Sequence, residues 1–356
     1  MKILHSADLH LDSPFTGRTP AQADGLRKDL LKVPGMLAEL CRRESCDLVL
    51  LAGDLFDGPW TRDSYQALYV ALEEMAVPVF ISPGNHDFLS PNSPYQTEGW
   101  PENVHIFNQP AIESVAIPQL DCRIYGAGYH SMDCDGLMDG FQVQGSEQFQ
   151  IAVLHGDPTQ ASSHYCPITA NQVRKSDLHY LALGHIHKYG QLRAGQTLCA
   201  WPGCPMGRGY DEADTKGALI VTLDDTIQAT FVPLDTPRFF DYETTPGIDA
   251  HAALAALLPA MGDDHFYRVT FTGAAQAPQV DALLAAFPQF PNLELRDRTV
   301  EERDIWGSAG DDTLEGVYFR ILKDAMTTAG QDEQEILTLA ARISRQILDG
   351  QEVRLP

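Results

Sequence analysis

The sequence predicts an α/β protein in which a mostly parallel sheet packs on a second sheet, followed by a smaller α/β unit and C-terminal helices. Three observations predict it. Short apolar runs alternate with amphipathic segments over roughly the first hundred residues, the pattern of parallel strands joined by right-handed helical crossovers. From about residue 104 short strand-like segments follow one another with turn residues between them, which calls for a second sheet. The chain has 356 residues, more than one ordinary core organises, so one large domain with one or two smaller ones is expected.

The elements follow in order. Lys2 to Asp8 is the first strand and runs into Asp8-Leu9-His10. Residues 21–45 are expected to be helical, with Leu26, Leu30, Leu31, Leu37 and Leu40 for a buried face and a break at Pro34-Gly35. Leu48 to Ala52 is an unbroken apolar run, a strand buried on both faces, and it ends in Gly53-Asp54. Residues 62–76 form an amphipathic helix, with Tyr65, Leu68, Tyr69, Leu72 and Met75 on one side. Pro78 to Ser82 is a further strand, running into Pro83-Gly84-Asn85-His86-Asp87. Later strands are expected at 104–107, 111–117, 122–129, 149–154, 180–183, 197–201, 218–223 and 227–233, with one helix near 168–176. Residues 237–300 read strand-helix-strand-helix-strand, at 239–244, 249–261, 266–272, 278–286 and 293–298. Residues 312–348 are helical, with one apolar stripe of Leu314, Val317, Tyr318, Ile321 and Leu322 and a second of Ile336, Leu337, Leu339, Ala340, Ile343 and Ile347. The expected domains are 1–236, 237–305 and 306–356.

Composition narrows the function. The net charge is −24. Residues 1–237 carry 15 basic and 29 acidic groups and residues 238–356 carry 10 and 20, so no segment is a basic nucleic-acid module. That argues against tight unaided binding to DNA, where phosphate contacts supply most of the non-specific affinity. It leaves a nuclease open, because bound divalent cations change the local field. Seven cysteines, odd in number and without C-x-x-C spacing, fit reduced thiols. The N-terminus has no charged-then-apolar leader, and no apolar run approaches the roughly 20 residues of a membrane span; a cytoplasmic protein is expected.

Five strand ends carry residues with metal-ligand chemistry: Asp8-x-His10, Gly53-Asp54-x-x-Asp57, Gly84-Asn85-His86-Asp87, His155-Gly156 and Gly184-His185-x-His187. Carboxylates, an amide oxygen and imidazoles without a thiolate suit Mn²⁺, Fe²⁺, Mg²⁺ or Zn²⁺. Seven such groups are too many for one ion plus a substrate, and suit two ions sharing a bridging carboxylate. Residues i and i+2 of an extended segment point the same way, so Asp8 with His10, and His185 with His187, are expected to face one cavity. Singly each motif is more often a loop; in this order, each after a strand, they are hard to read that way.

This ordered set resembles the calcineurin-like metallophosphoesterases over residues 1–233. Within that superfamily, His5-Ser-Ala-Asp-Leu-His-Leu-Asp-Ser-Pro-Phe15, Ser90-Pro91 and Asn103-Val104-His105-Ile106-Phe107 resemble the YhaO-like DNA repair exonucleases, relatives of the SbcD nucleases. The resemblance implies a four-layer α/β/β/α sandwich, with the small α/β unit capping the substrate. It implies that Asp8, His10, Asp54 and His187 hold one ion and that Asp54, Asn85, His155 and His185 hold the other, so that Asp54 bridges. His86 would act beside the scissile phosphate as a proton donor or charge stabiliser, with Asp57 orienting it. Some archaeal relatives carry histidine at the position of Asp57, so that residue does not separate nuclease from phosphatase.

The implied function is a Mn²⁺-dependent DNA exonuclease in repair. The two C-terminal apolar stripes are expected to pack on the phosphoesterase domain; the resemblance offers the alternative that these helices dock an SbcC-like SMC-type ATPase, and it also allows a homodimer. The rivals are a small-molecule phosphodiesterase or phosphatase, and a scaffold subunit that regulates an ATPase. Arg208, in a Gly/Pro-rich loop, is as well placed to touch substrate as not. Arg18, Arg27, Lys28 and Lys32 read as a solvated helix face, Asp211, Glu212 and Asp214 as a solvated loop, and Cys199 and Cys204 as structural.

Overall fold

The computed structural model describes residues 1–300 and 305–350. The junction expected at 305/306 adjoins residues 301–304, which lie outside the described residues, as does the last part of the expected C-terminal segment, 351–356.

The first sheet is built from β1 (Lys2–Ser6), β2 (Leu48–Leu51), β3 (Val79–Ile81) and β4 (Val104–Ile106). Between these strands lie α1 (Pro20–Leu30) and α2 (Val33–Glu44), then α3 (Arg62–Met75), then the short α4 (Pro94–Thr97). The second sheet comprises β5 (Glu113–Ile117), β6 (Cys122–Gly126), β7 (Phe149–His155), β8 (Tyr180–Gly184), β9 (Gly190–Ala194) and β10 (Thr197–Trp201), with α5 (Ala170–Lys175) before β8. β11 (Gly217–Leu223) and β12 (Ile227–Pro233) then return to the first sheet. The orders are β12-β11-β1-β2-β3-β4 and β5-β6-β7-β8-β10-β9. β1 to β4 are mutually parallel, as expected, while β11 adds to β1 antiparallel.

Side-chain alternation sorts each strand between two cores. Leu4, Val49, Leu51, Val79 and Ile81 point to the face covered by α1, α2 and α3, where they meet Leu26, Leu37, Leu40, Leu68 and Leu72. Ile3, Leu48, Leu50 and Phe80 point the other way and meet Ile124, Ile151, Val153, Tyr180 and Ala182 of the second sheet. The alternate residues of that sheet, Tyr125, Ala152, Leu154, Leu181 and Leu183, pack under α5 through Val173 and under loop residues Tyr129, Met138, Cys166 and Ile168. The result is the four-layer α/β/β/α sandwich, with an outer layer on the second sheet that is mostly loop.

Several expectations need correction. The helix over 21–45 is two helices, and the break falls at Leu31-Lys32 instead of Pro34-Gly35. Pro34 sits in the first turn of α2, where its missing N–H has no helical partner to lose. β9 has no long apolar run, only an alternating in–out pattern, and it escapes a reading tuned to buried strands. The helix expected over 249–261 spans only Ala250–Ala255.

The chain divides into two compact units: Met1–Tyr242 with Met261–Arg268 and Pro288–Glu294, and Glu243–Ala260 with Val269–Phe287 and the described residues from Leu295 on. β13 (Phe239–Thr244), β14 (Phe266–Ala274) and β15 (Leu293–Val300) form a third sheet, with α6 (Ala250–Ala255) and α7 (Val280–Ala286) in the connections. α8 (Leu314–Met326) and α9 (Gln331–Leu348) pack on each other around Phe319 and Ala341. The first expected stripe is largely outward, with Leu314, Val317, Tyr318 and Ile321 exposed; in the second Ile336 and Ile347 are exposed while Leu337, Leu339, Ala340 and Ile343 are half-buried. No helix among the described residues is long and apolar enough to cross a membrane, and all seven cysteines are free thiols.

Candidate metal centre

The loops after β1, β2 and β3 and the ends of β7 and β8 converge. Hydrogen bonds lock the loops together: Asp8 N–H donates to Gly53 O at 3.0 Å and His10 N–H to Asp54 O at 2.9 Å. Asp87 ties two of them, accepting from Gly84 N at 2.7 Å, Leu55 N at 2.7 Å and Tyr95 Oη at 2.6 Å. The sequence motif contained Asp87 but assigned it no task; burial without a ligand role is what its partners explain.

The backbone here is not extended. Asp8 (φ 53°), His10 (φ 48°), Asp54 (φ 51°) and His185 (φ 97°) all lie at positive φ, a conformation that costs energy for residues other than glycine and collects at functional sites. The i, i+2 argument for Asp8 and His10 is therefore corrected: left-handed turns, not strand alternation, aim both side chains inward. Gly84 is required for a different reason from a turn, because a Cβ there would lie 2.2 Å from Asp54 Oδ1 and 2.7 Å from Asp54 N.

Asp8, His10, Asp54, Asn85 and His155 are buried, His185, His187 and Asp57 half-buried, and His86 more open. The donor atoms of Asp8, His10 and His187 lie within 4.8 Å of one another, as do those of Asp8, Asp54 and His155 and those of His10, Asp54 and His86. Asp54 Oδ2 stands 3.4 Å from His155 Nε2 and 3.8 Å from His10 Nε2, so one carboxylate reaches two imidazole groups. His185 donates its backbone N–H to Asp8 at 2.9 Å. Its ring lies 5.3 Å from that of His155 and 4.8 Å from that of Tyr165, centroid to centroid.

The donor set fits divalent ions. His155 Nδ1 donates to Ala52 O at 2.9 Å, which leaves Nε2 without a proton, yet Nε2 faces Asn85 Oδ1 at 2.9 Å. Neither atom carries a hydrogen for the other, and Asp54 Oδ2 adds a third lone pair. On the other side His10 Nε2 and His187 Nε2 face each other at 3.1 Å, close to the ~3 Å that separates adjacent nitrogens held about 2.1 Å from one ion. Converging lone pairs of this kind call for cations.

The titration tendencies agree for most of these donors. Burial first, then Asp87, pushes the Asp54 carboxyl up to about 7, and burial likewise raises Asp8; adjoining cations would reverse both. Burial lowers His10 and His155 and brings His185 down to about 4, keeping these imidazoles neutral as ligands must be. His187 goes the other way, raised against the lowering effect of burial by its hydrogen bond to Glu212 and by Asp8, and so does His86. Its Nδ1 lies 2.9 Å from Asp57 Oδ1, and that hydrogen bond is the main reason its pKa rises.

Two residues of the loop 201–216 also belong to this neighbourhood. Glu212, expected on a solvated loop, is buried, with Oε1 2.7 Å from His187 Nδ1. Arg208 spans Glu212 Oε1 at 3.1 Å and Asp57 Oδ2 at 3.3 Å. Local composition, Tyr210-Asp-Glu-Ala-Asp214, hid Glu212 because nothing in a run of acidic residues marks the one that turns inward.

Comparison with known proteins accords with this geometry. Residues 1–189 match the family described as "Calcineurin-like phosphoesterase". The chain is 34% identical over 236 residues to "Uncharacterized metallophosphoesterase YhaO" of Bacillus subtilis, covering 62% of this chain and 57% of that protein. It is 27% identical over 275 residues to a component of the SbcCD nuclease of the same organism, SbcD, covering 65% and 68%. It is 37% identical over 237 residues to "DNA double-strand break repair protein Mre11" of Aeropyrum pernix, covering 61% and 56%. The chain thus spans little more than half the length of two of these three relatives. The matched region takes in the strand-end loops that carry Asp8, His10, Asp54, Asn85, His86, His155, His185 and His187, and by that match the chain belongs to the calcineurin-like phosphoesterase family.

Proposed function

We propose that the chain is a two-metal-dependent phosphodiester hydrolase whose substrate is DNA, degraded from an end during repair together with an SbcC-like ATPase. The observation that carries the two-metal reading is the position of Asp54, whose Oδ2 reaches both His155 Nε2 and His10 Nε2. On this reading Asp8, His10, Asp54 and His187 hold one ion, and Asp54, Asn85, His155 and His185 the other. Mn²⁺ is the favoured ion, ahead of Fe²⁺, Mg²⁺ and Zn²⁺. Bound there, such ions supply Lewis-acid polarisation of the phosphate and a nucleophile from water at neutral pH.

The chain's own residues do the rest. Asp57 holds His86 by Nδ1 and favours its protonated form, so Nε2 can deliver a proton to the leaving oxygen or hydrogen-bond the charge that develops there. Gly84, lacking a Cβ, lets the loop carrying Asn85 and His86 close on Asp54. The DNA reading draws its support from the names of two relatives, a nuclease component and a double-strand break repair protein. The three-part division 1–236, 237–305 and 306–356, the cytoplasmic location, ATPase docking through the last segment and a homodimer belong to the same proposal.

A small-molecule phosphodiesterase is the second reading, and the net charge of −24 favours it, since an acidic surface is no handicap with a small substrate. End-labelled single- and double-stranded DNA, digested with Mn²⁺ by the wild type and by His86→Ala, separates the two. Progressive loss from an end that disappears in the variant supports the nuclease. Intact DNA with turnover of an aryl phosphodiester, unchanged on adding the ATPase, supports the second reading.

A further inference from the structure

We propose that Glu212 and Arg208 are positioning residues of the metal centre, together forming a brace that sets the tautomer of His187 and holds Asp57 toward His86. This rests on the two-metal reading above and deepens it.

The argument begins with hydrogen counting. Two groups face His187 Nδ1: Glu212 Oε1 at 2.7 Å, and Arg208 Nη2, itself bonded to the same Oε1, at 3.0 Å. The carboxylate is the nearer of the two and only accepts, which assigns the proton to Nδ1, donated to Glu212. A neutral imidazole has one N–H, so Nε2 of His187 is left bare. That is the atom facing His10 Nε2 at 3.1 Å. A carboxylate behind an imidazole ligand, fixing tautomer and ring orientation, is a recurrent arrangement around metals.

Arg208 keeps Glu212 in that position. Its backbone N–H donates to Glu212 Oε2 at 2.8 Å and its guanidinium to Glu212 Oε1 at 3.1 Å. The other arm of the guanidinium donates to Asp57 Oδ2 at 3.3 Å, while Asp57 Oδ1 engages His86. One planar fork therefore links two imidazole–carboxylate pairs, a task a lysine cannot reproduce. The backbone of His187 is gripped as well, its carbonyl accepting from Lys216 Nζ at 2.8 Å and from Cys204 N at 3.3 Å.

His187, Cys204 and Glu212 also bring their donor atoms within 4.8 Å of one another. The guanidinium of Arg208 and the ammonium of Lys216 already supply positive charge beside them, so these residues act as a support for the centre and not as a separate ion site.

The test uses the full chain. Ring ¹⁵N spectra of histidine-labelled metal-free protein, taken at alkaline pH where the ring is neutral, should show His187 protonated at Nδ1 and bare at Nε2. In Mn²⁺ titrations Glu212→Ala should weaken one of two equivalents by about 10–100-fold and leave the other in place. Glu212→Gln, which still presents an acceptor oxygen to Nδ1, should recover part of that loss. Arg208→Met should lower kcat toward an aryl phosphodiester more than it raises KM. A His187 ring protonated at Nε2, unaltered Mn²⁺ affinity in Glu212→Ala, or an Arg208→Met effect confined to KM overturns the brace. A wild-type chain that takes up no Mn²⁺ overturns the two-metal reading itself, and with it the metal-directed half of this one; the ring spectrum then tells whether the Glu212–His187 contact stands.

Discussion

His86–Asp57 and His187–Glu212 are the same pair chemically, an imidazole Nδ1 against a carboxylate, at 2.9 and 2.7 Å. They differ in restraint. The His86 ring is hydrogen-bonded to Asp57 and its backbone N–H donates to Asp54 Oδ1 at 2.9 Å, but its side chain is 40% exposed. His187 is held at the ring by Glu212 and at the backbone by Lys216 and Cys204, and Glu212 is only 8% exposed. A group that must exchange protons with a reacting oxygen needs access and a pKa near the working range, which the open pair provides. A ligand must instead present one lone pair in one direction, which needs a ring that cannot turn. On the proposed reading, identical chemistry serves two tasks, separated by how far each pair is buried.

That contrast can be broken at either pair. The largest effect is expected from His86→Ala, which should reduce turnover by about 10²–10⁴-fold and leave the Mn²⁺ equivalents unchanged in metal analysis. Lost metal would move His86 into the ligand set, in keeping with its closeness to His10 and Asp54. Asp57→Asn should act on the same step more mildly, by about 10–100-fold. It also carries a pH signature. Asp57 raises the pKa of His86, so activity that needs the protonated ring is lost as pH rises through that raised value; without Asp57 the loss should begin at lower pH. An unmoved alkaline limb would show that Asp57 does not tune His86.

The metals provide a third handle. Mn²⁺ at 100 times its Kd should stabilise the folded state by about 2.7 kcal/mol per site, read as a rise in the melting temperature. A chain carrying Glu212→Ala should show the smaller rise. The smallest effect is expected next door: Asp211→Asn, on an exposed side chain, should change stability by no more than about 0.5 kcal/mol and leave the Mn²⁺ titration as it was. A large effect there would mean that the whole acidic run, and not Glu212 alone, supports the centre.

Much of the architecture was legible because burial on two faces leaves continuous apolar runs, as in Leu48–Leu51 and Tyr180–Gly184. The candidate donors were legible because each stands where such a run stops, and the structure brings most of them into the close groups around Asp8 and Asp54, with His185 reaching the cluster through its ring beside His155. β9 was not legible, since an edge strand half open to water has no such run. Glu212 was not legible either, because it stands in an acidic run beside the exposed Asp211 and its partner lies 25 residues away.

The sequence by itself determined which groups are available and in what order the strands deliver them, because both follow from local pattern and side-chain chemistry. Only the tertiary structure decided which nitrogen of His155 is bare, which carboxylate lies behind a histidine and which faces the cluster, and that Arg208 reaches Asp57 across 151 positions of chain. A hydrogen bond depends on distances of a few tenths of an ångström between loops far apart in sequence, and those distances exist only once both sheets have packed.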